Sequence, residues 1–217
     1  MIWKFTDNKS RDSIEQQFDW ARNMNEVPQD KLYHAEGNVA VHTWKVIEEL
    51  QQLPAYSDLG GQDKEILWTA ALLHDVEKRS ATVVESDGRI TARGHARKGE
   101  YTVRTLLYRD LPTPFAIREK IASLVRFHGL PLWLMEKTDP VRKIAEVAFR
   151  LDTSQLRMLA EADIRGRICQ DREELLESLD LFELFCREQG CWKKSREFTT
   201  DHARFLSLIH ISEPTRH

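Results

Sequence analysis

The stretch LWTAALLHDVEK, residues 67–78, decides how this chain is read. Ile66, Ala70, Leu73 and Glu77 recur at helical spacing, with Leu67 and Ala71 beside them. That spacing predicts one amphipathic helix whose apolar stripe faces a core. Near its C-terminal end the adjacent His74 and Asp75 sit at the edge of the stripe. Neighbouring residues diverge by about 100° on an α-helix, so the two meet one ion only if other helices close around them. Alone, such a pair reads as a solvated helix end.

Working outward towards the N-terminus, Pro54 and the Gly60-Gly61 pair make a loop, and Asp63 can cap the His-Asp helix. Before the loop, Gly37 breaks the chain and Asn38 is an N-cap for a helix over residues 39–52, which carries His42 on its first turns. Ile14, Phe18 and Ala21 predict a first helix over 10–24, ended by Pro28. Towards the C-terminus, ATVVE, Ser86-Asp87-Gly88 and RIT read as a short β-hairpin with Asp-Gly in its turn. Gly94 precedes His95, which opens a helix to about residue 109, and a helix over 115–128 stops at Gly129 as a C′ glycine. Trp133 falls in a bulky loop, Asp139-Pro140 starts a helix to about 151, and Thr153 or Ser154 caps the next, to about 168. A last helix over 172–189 buries Leu175, Leu179, Phe182 and Phe185 and ends at Gly190. The expected fold is all-α, a helical bundle with one small β-hairpin.

Composition narrows the function. With 217 residues, 41% hydrophobic and 31% charged, the chain is neither disordered nor a membrane protein. No apolar run approaches the roughly 20 residues of a bilayer span. The start, MIWKFTDNKSRD, lacks the basic-then-apolar pattern of a signal peptide, so a cytoplasmic location is expected. A net charge of -3 gives no global attraction to nucleic acid, while leaving room for a local basic patch. Cys169, Cys186 and Cys191 form no C-x-x-C pair and read as reduced packing residues. The final SLIHISEPTRH, residues 207–217, continues no pattern and reads as a non-native, adaptor-derived tail, which leaves 1–206 as one domain.

Six residues suit transition-metal binding: His42, His74, Asp75, His95, His128 and Asp163. Imidazole with carboxylate suits Mn, Fe, Co, Ni or Zn better than Mg or Ca. His128 continues the inward row Ile117, Ile121, Leu124, and Asp163 follows Leu156 and Ala160 on one stripe. A lone inward Asp is expensive unless paired or coordinating. It can also pair with Arg167 one turn later, as an ordinary ion pair.

The order His42, then His74-Asp75, then Asp163 resembles the HD-domain metal-dependent phosphohydrolases, over about residues 32–167. The segments HAEGNVAVHT, ALLHDVEK, GHARKGE and LAEADIRGR are similar to one branch, the HD phosphatase modules of nucleic-acid end-healing enzymes, in which the module precedes a P-loop polynucleotide kinase. The HD portions of bacterial tRNA nucleotidyltransferases are also similar. No G-x-x-x-x-G-K-[ST] occurs here, so a kinase partner domain would belong to a longer natural chain. The resemblance implies one or two divalent ions. His42, His74, Asp75 and Asp163 would hold the first, and His95 and His128 the second, with Asp75 bridging. Such ions make a nucleophile of bound water near neutral pH. Lys78 would offset phosphoryl charge, Arg167 would clamp phosphate with its planar fork, and His34 would contact substrate or protonate the leaving group.

The expected activity is hydrolysis of phosphate ends: 2′,3′-cyclic phosphates and 3′- or 2′-monophosphates of nucleotides or RNA. A nucleotidase or deoxynucleoside triphosphohydrolase would use the same frame. A non-catalytic nucleotide-binding HD module would keep the residues without turnover, and a di-iron oxygenase would consume oxygen.

Overall fold

Residues 1–193 are described by the computed structural model, and the helix carrying LWTAALL lies at its centre. That helix, α5 (Gly61–Leu73), buries every residue from Ile66 to Leu73. The expected amphipathic stripe is therefore corrected: α5 is covered all round, as a helix apolar on every face must be. It starts from Gly60 rather than from a capping Asp63, which lies in the first turn, where its charge meets the positive helix end. It also ends before its apolar spacing does. His74 is the C-cap, the chain turns through residues 74–77, and a short helix α6 (Lys78–Ala81) follows.

The N-terminal helix expected over 10–24 is broken. Phe18 is extended, with φ −128° and ψ 113°, between α1 (Arg11–Gln17) and α2 (Asp19–Asn23), and a 3-10 turn (Met24–Glu26) follows. The break seats the Phe18 ring against Phe5 and Trp20, with centroids 5.3 and 5.5 Å away. Aromatic packing thus wins over helical continuity.

Asn38 caps α3 (Val39–Gln52) by accepting the Val41 N–H at 2.9 Å, and Pro54 opens the short α4 (Pro54–Ser57). The hairpin forms where Asp-Gly predicts it. β1 (Val83–Val84) runs antiparallel to β2 (Ile90–Thr91), Val83 opposite Thr91, with Gly88 at φ +84° in the turn. Left-handed Gly94 leads into α7 (His95–Arg109), and α8 (Phe115–Phe127) returns beside it. Gly129 is not the left-handed stop expected there. Its φ is −83°, so the chain turns on into α9 (Leu130–Trp133), and Trp133 ends a helical turn instead of lying in a loop.

Asp139 caps α10 (Pro140–Ala148) by accepting the Arg142 N–H. For α11 (Thr153–Gly166) the cap is Asp152, which accepts from Ser154, in place of Thr153 or Ser154. In α12 (Arg172–Glu188) Leu175, Leu179 and Phe182 are buried and Phe185 partly so, and Gly190 at φ +67° ends it.

Helices α3, α8 and α11 pack around α5, and α12 covers α11 and α9. The core side chains Trp68, Phe182, Ile14, Leu50 and their neighbours are fully buried, each contributing roughly 1.5–3 kcal/mol. Helices α3 and α11 meet at bare backbone. A Cβ on Gly166 would lie 2.9 Å from the Val46 nitrogen, so only glycine permits this approach. One turn earlier on α11 stands Asp163, which the same contact carries to His42.

No helix among the described residues is long and apolar enough to cross a membrane. No disulfide forms among them either; Cys186 and Cys191 are buried. The expected domain end at 206 and tail over 207–217 lie outside the described residues.

Candidate metal centre

Each of three histidines is held by the carbonyl three residues earlier. His74 Nδ1 donates to Ala71 O at 2.7 Å, His95 Nδ1 to Ala92 O at 2.7 Å, and His128 Nδ1 to Val125 O at 2.8 Å. A carbonyl only accepts, so each Nδ1 carries a proton and Nε2 is the nitrogen left to face a ligand. Two of the three rings stand just past a helix end, His74 after α5 and His128 after α8, and His95 opens α7.

The Nε2 atoms converge on Asp75. Its Oδ2 lies 3.2 Å from His74 Nε2 and 3.8 Å from His42 Nε2, and its Oδ1 lies 3.2 Å from His95 Nε2 and 3.9 Å from His128 Nε2. Ligand atoms of His42, His74 and Asp75 all fall within 4.8 Å of one another, as do those of Asp75, His95 and His128. Asp75 belongs to both groups, one oxygen facing each. Asp163 joins the first, its Oδ1 3.0 Å from His42 Nε2. All six metal-ligand candidates are thus brought together, and all but the half-buried His95 are buried.

Whether this cage fits a cation is tested by its unmet groups. His74 Nε2 and Asp75 Oδ1 are buried with no hydrogen-bond partner among the described residues. His95 and His128 face each other Nε2 to Nε2 at 3.4 Å, each with its Nδ1 already given to a carbonyl. Orphaned acceptors are costly in a fold, and a divalent cation satisfies several at once. The residues fit a metal.

The charges agree. Burial alone would raise the Asp75 carboxyl, but His74 and Lys78 outweigh it and hold it well below the usual carboxylate range. Burial likewise opposes ionisation of Asp163, and Arg167 with His42 overcomes it. Burial would lower the His74 imidazole, and Asp75 reverses the sign and raises it. Burial, with the charges of His74 and His95, pushes His128 down to about 3, so this ring stays neutral and ready to ligate. The cage thus sets two ionised carboxylates beside a neutral His128.

A family model, HD domain, matches residues 39–163, from the first residue of α3 to Asp163 and over more than half the chain. The chain belongs to the HD-domain family. A search of curated proteins finds no match. HD-domain proteins are in general metal-dependent phosphohydrolases, so membership brings metal-dependent hydrolase chemistry to this cage.

The HD cage meets a cleft of about 480 Å³. Lys78, His95, Arg167 and His34 line it, together with Tyr33, Ile90, Trp133 and Leu175. Lys78 Nζ is 2.8 Å from Asp75 Oδ2 and donates to Gln29 Oε1 at 2.6 Å. Arg167 grips Asp163 with two bonds, Nε to Oδ1 at 3.1 Å and Nη2 to Oδ2 at 2.5 Å. Both cations therefore stand beside ligand carboxylates while facing the cleft. Arg165 points elsewhere and pairs with Glu161.

Sequence reasoning missed Glu36. Its buried carboxylate accepts from His34 Nδ1 at 2.9 Å, is approached by His42 Nδ1 at 2.8 Å, and accepts the Ile168 N–H at 2.9 Å. It ties the cleft histidine, the ligand histidine and the end of α11 together. Burial pushes the His34 imidazole down to about 4, with Lys78 helping and Glu36 opposing. His34 is therefore neutral near pH 7 and offers Nε2 as an acceptor. The only sign of Glu36 in the sequence is its place two residues after His34, which an ordinary loop carboxylate shares.

Proposed function

We propose that this HD domain hydrolyses phosphate ends of nucleotides or nucleic acids, taking 2′,3′-cyclic phosphates and 3′- or 2′-monophosphates. The observation that carries the reading is the junction of cage and cleft. Lys78, Arg167 and His95 line the same opening, so two cations and a metal-ligand histidine would face one phosphate placed there. In this reading His42, His74, Asp75 and Asp163 would hold one divalent ion and His95 and His128 a second, with Asp75 shared by the two ligand groups. The imidazole-rich set favours Mn, Ni, Co, Fe or Zn. When bound, such ions stabilise phosphoryl charge and supply a water-derived nucleophile at neutral pH.

The chain's own residues do the rest. Lys78 offsets charge on the phosphoryl oxygens as the ester bond breaks. Arg167 presents a rigid fork that orients a phosphate by two bonds at once. Neutral His34 accepts a hydrogen bond from a substrate hydroxyl or a water. Tyr33 and Trp133, both about half exposed at the cleft edge (49% and 46%), offer flat faces to a base. The nucleic-acid end as substrate, and a P-loop kinase domain as natural neighbour, rest on resemblance to the end-healing enzymes. We place the enzyme in the cytosol, a setting that suits its unbridged thiols.

The test is a panel of 2′,3′-cyclic nucleotides, 2′-, 3′- and 5′-mononucleotides and deoxynucleoside triphosphates, assayed with Mn, Ni or Co. Metal-dependent release from the cyclic and 2′- or 3′-substrates is expected. Release from triphosphates alone would make the domain a triphosphohydrolase, and no release from any ester would refute the reading.

A further inference from the structure

The cage opens on a second side. Past His95 and Trp133, which border both openings, lies another cleft of about 550 Å³, lined by His128 and by Arg126, Lys137 and Lys143. Its character differs from the first. Three cations face one carboxylate, Asp139, whose Oδ1 is already engaged by the Arg142 N–H. Lys137 is exposed and makes no ion pair among the described residues. Arg126 reaches Glu100 at 3.4 Å and Lys143 reaches Glu146 at 2.7 Å, while both cations lie over the Phe127 ring, 5.6 and 5.1 Å from its centroid. The cationic wall is therefore braced from behind.

A mononucleotide needs one cleft for its nucleoside and the cage for its phosphate. A second, cationic cleft on the other side of the same histidines has nothing to do for so short a substrate. We propose that it is a subsite for the phosphodiester backbone of a polynucleotide whose phosphate end lies on the cage. This rests on the hydrolysis of phosphate ends proposed above. Arg126, Lys137 and Lys143 neutralise backbone phosphates, and Trp133, at the edge the two clefts share, stacks against the base between them.

The experiment compares wild type with a Lys137→Glu, Lys143→Glu double variant and with Lys4→Glu as a charge control. Circular dichroism verifies folding. Fluorescence anisotropy measures the affinity of a labelled RNA oligonucleotide for the metal-loaded protein over a range of salt, with a 3′-mononucleotide as competitor. The oligonucleotide is expected to bind wild type at least about tenfold more tightly than the mononucleotide. The double variant is expected to lose at least about tenfold and to show a salt slope shallower by about 1.4, roughly 0.7 per phosphate contact removed from a single strand, with Lys4→Glu close to wild type. If length brings no affinity, or the double variant binds as wild type does, the subsite is refuted. Mononucleotide hydrolysis, measured alongside, separates the two proposals. Turnover without any length effect sinks the second cleft alone, whereas length-dependent, Lys137- and Lys143-dependent binding without turnover sinks the hydrolase reading and leaves the subsite standing.

Discussion

Asp75 and Glu100 are both buried carboxylates, and they meet their surroundings in opposite ways. Glu100, on α7, is fully answered: Arg104 reaches it at 2.9 Å, Arg126 at 3.4 Å, and Arg150 closes on the same oxygen as Arg104. Burial would raise the Glu100 carboxyl, and Arg150 with Arg104 holds it below its ordinary value. Asp75 has Lys78 on one oxygen, while its other oxygen and the Nε2 of His74 are buried without a hydrogen bond among the described residues. A charge cluster that closes on itself holds helices together. One that leaves acceptors unmet is built for something that is not part of the chain.

The sharpest way to break this contrast is Asp75→Asn, which takes away the carboxylate both ligand groups share. Metal-dependent turnover is expected to fall on the order of 10³-fold or more, since the ions and the charge they stabilise lose their common anchor. A second readout needs no substrate. At about a hundred times its dissociation constant, a metal that binds only the folded chain adds about 2.7 kcal/mol. For a chain of this size that is about 5–10 °C in Tm. Wild type should show this rise with Mn, Co, Ni or Zn, and Asp75→Asn should lose most of it. An equal rise in both proteins would mean that the open cluster is not where metal binds.

Arg167→Lys comes next. The lysine keeps a positive charge but loses the two-bond grip on Asp163 and the fork that faces the cleft. Turnover is expected to drop about 100-fold, the scale of losing one oriented donor to a developing oxyanion, while the metal-induced rise in Tm persists. Loss of that rise together with turnover would make Arg167 a support for the ligands and not a contact to phosphate.

His128 and Asp163 were legible in the chain because helical spacing marks them. His128 continues the row Ile117, Ile121, Leu124, and Asp163 follows Leu156 and Ala160, so residue type and direction coincide. Other features were hidden for identifiable reasons. The apolar spacing runs on to Glu77, which is buried, yet the helix stops at Leu73, because a turn and not a straight helix carries His74 and Asp75 into the cage. Asp152, Thr153 and Ser154 share one capping chemistry, and only the backbone path decides which side chain reaches the Ser154 N–H. Glu36 lies in the loop HAEGN, where no period points inward, and the Ile168 N–H that it accepts comes from just past α11, far along the chain.

Glu36→Gln tests that hidden contribution. It keeps the volume and weakens the support behind His42, so metal affinity is expected to fall about tenfold, the low end for an outer partner of a ligand histidine. Titrating the metal against Tm checks it, and an unchanged midpoint would leave Glu36 a purely structural link between His34 and α11.

The smallest effect on function is expected at the closed cluster. Glu100→Gln leaves Arg104, Arg126 and Arg150 without their shared anion. The loss should be about 2 kcal/mol of stability, below the usual figure for a broken buried pair because these arginines stay roughly a third in water. Metal affinity and turnover per folded molecule should stay within about twofold of wild type, since nothing in the cage depends on this carboxylate for charge. The pH dependence carries the sign. Glu100 is held below its ordinary value of 4.5 in the folded chain, so its stabilisation is fully present above that pH and disappears as pH falls through the lower folded value. Other carboxylates titrate in the same window in both proteins, which makes the difference between wild type and Glu100→Gln the informative quantity. That difference should be largest near neutrality and shrink towards zero in acid, as read from urea unfolding at a series of pH values. A difference that stays constant with pH would show that glutamine costs packing and not charge, and that the arginine cluster is closed by shape alone.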